Sequence, residues 1–249
     1  MILDILAEGR RKNIVHLLFE ADATAIRAQI ARHQAQSGET ISLTSYISKV
    51  LADTVAAEPH MHAVLHSGRE LIIFDDVDLS ILIERKIEGT WLPVPYIVRA
   101  ANQKTLAALD KELKLAKSAP LNASGPLSAL ETQFFALPRF ARKIIWHFIR
   151  RDAHLFREVV GTVGVTSMGM HATGRTVAVP ITPMTLTLCI GAIGSQAIIV
   201  DGLATERQVI QLNLSADHDI IDGVPLMRFA EALKQTLQCG GRIFDRQGD

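Results

Sequence analysis

The residues best suited to chemistry lie between Ser215 and Gly223, where a predicted strand ends and the last predicted helix approaches. A thiol or hydroxyl is a poor nucleophile at neutral pH and needs a nearby base to remove its proton. His218 is the candidate base, because the unperturbed pKa of an imidazole lies close to neutrality. Asp222 would fix the local turn through a charge-assisted bond, and Gly223 would permit a close backbone approach. The spacing alone also fits a structural or surface histidine, so the surroundings must decide.

The elements that would position this segment alternate between helical and strand patterns, which predicts a mixed α/β fold with a substantial sheet. A helix is expected to begin after Asp22 as N-cap and to end at Gly38, and a hairpin is expected around Ser67 and Gly68. Strands are predicted near 14–20, 77–84, 92–100, 161–170, 185–194, 197–204 and 207–217, and helices near 21–38, 43–57, 103–117, 134–151 and 225–238.

Composition limits the classes of function. The 249 residues are 48% apolar, and 26 basic side chains balance 26 acidic ones, so no global field attracts nucleic acid. No apolar run is long enough to span a bilayer and no signal peptide is evident, so a cytoplasmic protein is expected. Cys189 and Cys239 have no metal-binding or redox spacing, so no metal is expected there.

Three histidines, His60, His62 and His66, invite comparison with a metal site. On a strand their spacing would send all three to the same face. No carboxylate or second motif accompanies them, and a cluster without metal is therefore the favoured interpretation.

The sequence from 211 onwards is similar to the C-terminal signature of a known family. The stretch LNLSADHDIIDGVPLMRFAEALKQTL resembles the acyltransferase core of 2-oxoacid dehydrogenase complexes, a family related to chloramphenicol acetyltransferase. GTVGVTSMGM with VPITPMTLTLCIGAI, and upstream LTSYISKVLADTVAAEPHMHAVL, resemble further family segments in the same order. The resemblance covers most of residues 12–117 and 159–238. It implies an α/β fold in which a two-layer sandwich has a mixed β-sheet flanked by helices, as in chloramphenicol acetyltransferase.

The resemblance also implies roles. His218 matches the family's catalytic base, and Asp222 matches the carboxylate that holds the site together. Thr166 falls where the family has a hydroxyl that donates to the tetrahedral oxyanion, a donor worth about 3–4 kcal/mol in the transition state. Ser167 is the alternative donor, Gly223 a substrate-binding position, and an ordinary strand-end hydroxyl the other interpretation of Thr166. The resemblance implies coenzyme A as co-substrate and acyl-CoA as ligand. Because family members place the active site between subunits, we also expect a homotrimer or a larger assembly.

Three departures from the family pattern qualify these roles. The residue after the histidine is Asp219 where the family has Arg, and this carboxylate would either raise the imidazole pKa or face solvent. No lipoyl attachment site or subunit-binding domain is recognised, so a lipoyl-domain protein would be a separate partner. Finally, a single catalytic domain over 1–249 would carry a family-atypical insertion at about 118–158.

The insertion contains a basic, aromatic helix pattern over 134–151. On a helix wheel, Leu137, Phe140, Ala141, Ile144 and Phe148 share one face, with Trp146 opposite. The helix would pack on the trimer or over the active-site mouth, lie on an anionic membrane, or act as a lid that selects a hydrophobic acyl group.

Three functions of the whole chain compete: a CoA-dependent acyltransferase, a complex core served by a lipoyl domain on another chain, and a non-catalytic trimeric scaffold. Condensation-type peptide synthetase domains share the fold but usually carry a second histidine where this chain has Asp217.

Overall fold

A six-stranded mixed sheet forms the centre of the computed structural model, which describes residues 2–87, 90–118, 134, 137–169, 174–200 and 202–239. The strand order is β1-β8-β7-β6-β4-β5. The pairs β4–β6 and β6–β7 are parallel, and the other pairs of this sheet are antiparallel. A short hairpin of β2 and β3 stands apart from it. The strands are β1 Ile14–Asp22, β2 Val64–His66, β3 Glu70–Ile72, β4 Leu79–Ile87, β5 Thr90–Val98, β6 Val163–Ser167, β7 Leu186–Val200 and β8 Leu203–Asp217.

Helices cover both faces of the sheet. The described helices are α1 Ile2–Gly9, α2 Ala23–Ser37, α3 Leu43–Ala57, α4 Leu106–Ser118, α5 Arg139–Ile149, α6 Ala153–Val160 and α7 Gly223–Cys239, with a 3₁₀ turn at Pro59–His62. Helix α3 lies between α4 and α7 and contacts both of them. Among the described residues no helix has the length and apolar content to cross a membrane.

Alternation along the strands gives the sheet two different faces. In β8, Leu212 and Leu214 are fully buried in the main core beneath α2, α3, α4 and α7. The residues between them point to the other face and are polar: Asn213 and Ser215 are also fully buried. The second face is thus a buried polar surface, and a buried polar surface needs hydrogen-bond partners.

The predicted caps of α2 and the predicted hairpin turn are confirmed. The Asp22 carboxylate accepts a hydrogen bond from the Thr24 amide at 2.8 Å, and Gly38 ends α2 with a φ of 73°. Ser67 and Gly68 both adopt positive φ, as a tight hairpin turn requires. In the predicted helix near 103–117, Leu106, Leu109 and Leu113 are buried, whereas Leu115 is 59% exposed.

The basic segment differs from its prediction in extent and in orientation. Instead of one helix over 134–151, α5 begins at Arg139 after Pro138, and α6 follows after the N-cap Asp152. Trp146, which was placed on the face away from the packing contact, is 7% exposed and packs with Ile149. The predicted apolar face points outwards, since Phe140 is 68% exposed. A helix with aromatic residues on two faces does not specify from its periodicity which face is buried.

The three histidines do not share a face. His60 and His62 lie in the 3₁₀ turn, where His62 is fully buried and bonds Thr162 through Nδ1 at 3.2 Å. His66 lies in β2 and accepts a hydrogen bond from the Ala153 amide. The predicted strand geometry is therefore wrong, because Pro59 starts a helical turn. No group of three potential metal ligands occurs among the residues that the structure describes.

Burial of His62 makes the fold sensitive to acid. Desolvation lowers the pKa of His62 from 6.5 to about 4, so the folded protein keeps this imidazole neutral while the unfolded chain takes up a proton below pH 6.5. Between pH 7.5 and pH 5 we expect His62 to lower the free energy of unfolding by about 2 kcal/mol. Urea titrations at both pH values and a fixed protein concentration measure this loss.

The control for this prediction is His62→Gln, which keeps a polar side chain beside Thr162 but cannot titrate. Its loss of stability between the two pH values should be smaller than that of the wild type by about the same 2 kcal/mol. Equal losses in both proteins would show that His62 is not the group responsible.

Candidate functional site

The candidate base His218 lies on a turn between β8 and α7. Its side chain is 44% exposed, so the imidazole can meet a ligand from solvent. The backbone beneath it is fixed, because the His218 amide donates to the Asn13 carbonyl at 2.8 Å. The structure therefore places the predicted base on an immobilised turn, with an accessible ring.

Asp217 organises this turn with both its backbone and its side chain. Its amide donates to the Thr185 carbonyl, and its own carbonyl accepts from the amides of Ile220 and Ile221. The carboxylate accepts from the Asp219 amide at 3.3 Å and forms an ion pair with Lys12, whose Nζ lies 2.6 Å from Oδ2. Because the Asp217 side chain is only 5% exposed, this pair is largely shielded from water.

The two carboxylates around His218 are placed differently. Asp222 lies one turn after the base, with Oδ1 3.9 Å from the His218 Nδ1, and is 87% exposed. Asp219 accepts a hydrogen bond from the Asn13 side chain at 2.9 Å. The extra carboxylate therefore joins the turn to the residue before β1.

Gly223 is the first residue of α7. Its φ is not positive, and a Cβ built there would meet no atom within 4 Å. Among the residues that the structure describes, none makes the close backbone approach expected at this position.

The hydroxyl candidates Thr166 and Ser167 are the last two residues of β6, and both are partly buried. Thr166 lines a cavity of about 600 Å³ on the second face of the sheet, beneath α5. Within the part of the chain that the structure describes, no other side chain or backbone group is hydrogen-bonded to the Thr166 hydroxyl. A hydroxyl in this setting can donate to a ligand.

The base and the hydroxyl are far apart within one chain. Thr166 pairs with Cys189, and Cys189 pairs with Asn213, which lies five residues before His218. Five residues of strand span about 17 Å, and two strand spacings add about 10 Å across the sheet. The two groups of a single chain therefore cannot both reach one carbonyl group.

The fold and this arrangement define a class of protein. The cubic core of the pyruvate dehydrogenase multienzyme complex matches this chain with a TM-score of 0.73 at 19% identity, covering 98% of this chain and 88% of that one. Chloramphenicol acetyltransferase matches with a TM-score of 0.51 at 16% identity, covering 93% and 92%. The predicted fold, a mixed sheet flanked by helices as in chloramphenicol acetyltransferase, is confirmed.

The sequence comparison gives the family. The model of the 2-oxoacid dehydrogenases acyltransferase (catalytic domain) matches residues 12–126 and 155–244, and the chain belongs to this family. The acetyltransferase component of the pyruvate dehydrogenase complex of Zymomonas mobilis is 24% identical over 233 residues, which are 92% of this chain and 46% of the relative. The chain thus spans about half the length of that curated relative. Residues 127–154 lie outside the family match.

One solved relative bears on the motif. The Azotobacter vinelandii dihydrolipoamide acetyltransferase, with a TM-score of 0.73 at 20% identity, covers 98% of this chain and 88% of its own. Its catalytic mechanism has been studied through a serine, a histidine and an asparagine, the last two four positions apart.

Sequence reasoning missed the Lys12–Asp217 ion pair and the cavity beside Thr166. The basic run Arg10, Arg11 and Lys12 before β1 was a signal for the ion pair, because a buried carboxylate at the end of a strand needs a cation nearby. The cavity had no sequence signal, because its lining comes from segments far apart in the chain.

We expect Lys12→Met to lower the free energy of unfolding by about 2 kcal/mol, because it leaves the buried Asp217 carboxylate without its cation. Urea unfolding measures the effect. Lys104→Met is the matched control, since the Lys104–Glu112 pair is more exposed and should contribute less than about 1 kcal/mol. Similar small losses in both variants would contradict an anchoring role for Lys12.

Proposed function

We propose that the chain is a CoA-dependent acyltransferase that moves an acyl group between CoA and a thiol or hydroxyl acceptor. The observation that carries this proposal is the accessible imidazole of His218 on a turn held by Asp217 and Asn13, in a chain that belongs to an acyltransferase family. The four-residue spacing of His218 and Asp222 equals the spacing of the histidine and asparagine studied in the Azotobacter enzyme.

In the proposed reaction, the sulfur or oxygen of the acceptor attacks the thioester carbonyl carbon, and His218 accepts the proton that this thiol or hydroxyl loses. Thr166, with Ser167 as the alternative, donates a hydrogen bond to the carbonyl oxygen as it becomes negative. The tetrahedral intermediate then collapses with cleavage of the carbon–sulfur bond to CoA. The departing CoA sulfur takes the proton back from His218, so the base is regenerated. The Asp222 carboxylate, 3.9 Å from Nδ1, favours the positive charge that the imidazole gains, and Gly223 leaves room beside the ring for substrate.

This chemistry requires two copies of the chain. Because the Thr166 and His218 positions of one chain are separated by well over 10 Å along the sheet, the proposal combines His218 of one copy with Thr166 of its neighbour. A closed ring of such heterologous contacts is a trimer in its simplest form, and the cubic core among the solved relatives favours an assembly of this kind.

The acceptor to test first is a dihydrolipoyl group. The Zymomonas relative is the dihydrolipoyllysine-residue acetyltransferase component of its complex, and this chain matches about half of it. A lipoyl-domain protein on another chain would then supply the acceptor, and acyl-CoA would be the other substrate.

We expect His218→Ala to lower the rate of transfer from acyl-CoA to dihydrolipoamide by about 10²–10⁴-fold and Thr166→Val by about 10²–10³-fold. Co-assembly of the two variants should restore activity, because some interfaces then combine an intact His218 with an intact Thr166. For random mixing, about one quarter of the sites are intact. Release or consumption of free thiol measures the rate.

Thr205→Val serves as the matched control, since Thr205 lies near the start of β8, far from His218, and its hydroxyl donates to the Leu203 carbonyl of the same strand. It should keep wild-type activity. If the mixed assembly stays inactive while both variants fold and assemble, the two groups do not meet across an interface. If His218→Ala keeps full activity, the imidazole is not the base.

A specific observation favours a second candidate role for the inserted helix. Phe140, Ile144 and Phe148 are 68%, 55% and 62% exposed, and Arg139 and Lys143 lie exposed on the same helix. A helix with this outward face resembles those that lie in the interface of an anionic membrane.

We expect the protein, if it has this role, to sediment with phosphatidylglycerol vesicles at low salt and to be released as salt rises, because basic residues contribute through a screened interaction. The variant in which Phe140, Ile144 and Phe148 are all replaced by serine should remain in the supernatant. Failure of the wild type to bind these vesicles at low salt would remove the membrane role.

A further inference from the structure

The cavity beside Thr166 has a floor and a roof of different origin. The floor belongs to the sheet and includes Ser80, Leu82 and Thr166, whereas Ile145, Trp146 and Ile149 of α5 form part of the roof. The volume of about 600 Å³ lies within the range of pockets that bind small organic ligands. The cavity is therefore large enough for much more than an acetyl group.

None of the described residues that line the cavity is charged. Besides apolar side chains they supply the indole of Trp146 and several hydroxyls, among them Thr182 and Thr187, whose oxygens lie 2.7 Å apart and bond each other. A phosphate or carboxylate placed there would lose its hydration without gaining a cation. The nucleotide of CoA and a dicarboxylic acyl group are therefore poor occupants, and a hydrocarbon chain is a good one.

The position of Thr166 connects this lining to the reaction. If Thr166 donates to the thioester carbonyl oxygen, the carbon chain attached to that carbonyl begins at the wall of the cavity. The chain can then extend between Leu82 on the floor and Ile145 on the roof without crossing any charged group.

Helix α5, which forms part of the roof, lies outside the family match and is fixed to the rest of the chain. Arg150, which follows α5, pairs with Glu8 of α1 at 3.3 Å, and the Arg151 carbonyl accepts from the Ser67 amide at 2.8 Å. In α6, Arg157 pairs with the buried Asp78 at 2.9 Å. Burial alone would raise the pKa of Asp78, but hydrogen bonds from Arg157, Ala100 and Arg99 outweigh it and hold the pKa below 3.8. The roof is thus anchored to the N-terminal helix, the short hairpin and the sheet.

We propose that this cavity binds the hydrocarbon chain of a medium-chain acyl thioester, so that the inserted helices select acyl groups longer than acetyl. The inference rests on the proposed acyltransferase function for its chemistry, but the binding of the chain can be measured without turnover. In the reaction, the same carbon–sulfur bond breaks and the same acceptor bond forms, and only the group carried on the carbonyl carbon differs.

The test compares the dissociation constants of octanoyl-CoA, acetyl-CoA and CoA by calorimetry on the assembled protein. Octanoyl-CoA should bind about 100-fold more tightly than acetyl-CoA, because each methylene removed from water contributes up to about fourfold and ordering of the chain offsets part of this. Equal affinities would overturn the proposal.

The Leu82→Trp variant should reduce the ratio of the acetyl-CoA to the octanoyl-CoA dissociation constant to below about tenfold. The indole fills the cavity from a position that is 42% exposed and tolerates a larger side chain. Leu71→Trp is the matched control: it is also a strand leucine, 51% exposed, but it does not line the cavity and should leave the ratio unchanged. A ratio that is unaffected in folded Leu82→Trp would place the chain elsewhere and overturn the assignment.

A second readout does not depend on that variant. The chain has two tryptophans, so Trp91→Phe leaves Trp146 on the cavity roof as the sole indole. Octanoyl-CoA should shift the emission of this indole to shorter wavelength, and CoA alone should not. An identical response to both ligands would count against the proposal.

The outcomes separate this inference from the proposed function. Tight octanoyl-CoA binding that Leu82→Trp weakens, with no transfer to dihydrolipoamide or another thiol, would support the pocket and contradict the acyltransferase. Transfer that depends on His218 but proceeds equally from acetyl-CoA and octanoyl-CoA, without a difference in affinity, would support the enzyme and contradict the pocket.

Discussion

The ion pair between Lys12 and Asp217 is the constraint on which the site depends. It joins the residues just before β1 to the last residue of β8, at the point where the chain turns to present His218. The bond from the His218 amide to the Asn13 carbonyl and the bond from the Asn13 side chain to Asp219 reinforce the same junction. The candidate base His218 is thus held through the residues just before the edge strand β1 rather than by the helix that follows it.

The two faces of the sheet differ in the side chains that they present. One face, through residues such as Leu212 and Leu214, forms the core with four helices and gives the fold its stability. The other face is lined with hydroxyl and amide groups, and in this chain the inserted helices cover part of it. The main core and the candidate oxyanion donor Thr166 therefore lie on opposite sides of one layer. The inserted helices are held over the second face by a small apolar cluster, to which they contribute Trp146 and Phe156 and the segment before β7 contributes Met184.

The sequence predicts the first face well and the second poorly. The caps Asp22 and Gly38 and the hairpin at Ser67 follow from local rules, because each depends on residues close together in the chain. His218 could be chosen as the candidate base from its sequence motif and the family resemblance. The orientation of α5 was not, since Phe140 and Trp146 compete for burial on opposite sides of a short helix, and only the shape of the surface beneath decides between them. The same holds for the cavity, which exists only once α1, α5 and the sheet are brought together.

The pairing of β1 with β8 also has a consequence for how the protein is made. In the ladder between these strands, Ile14 pairs with Asp217 and Asp22 pairs with Val209. Strand β1 can therefore form this ladder only after β8 has been made. During synthesis on the ribosome, β1 must remain without this ladder until β8 has emerged, and contacts of such long range slow folding. The turn that carries the candidate base His218 is completed by the same late event, so a chain shortened before β8 would lose both the partner of β1 and this turn at once.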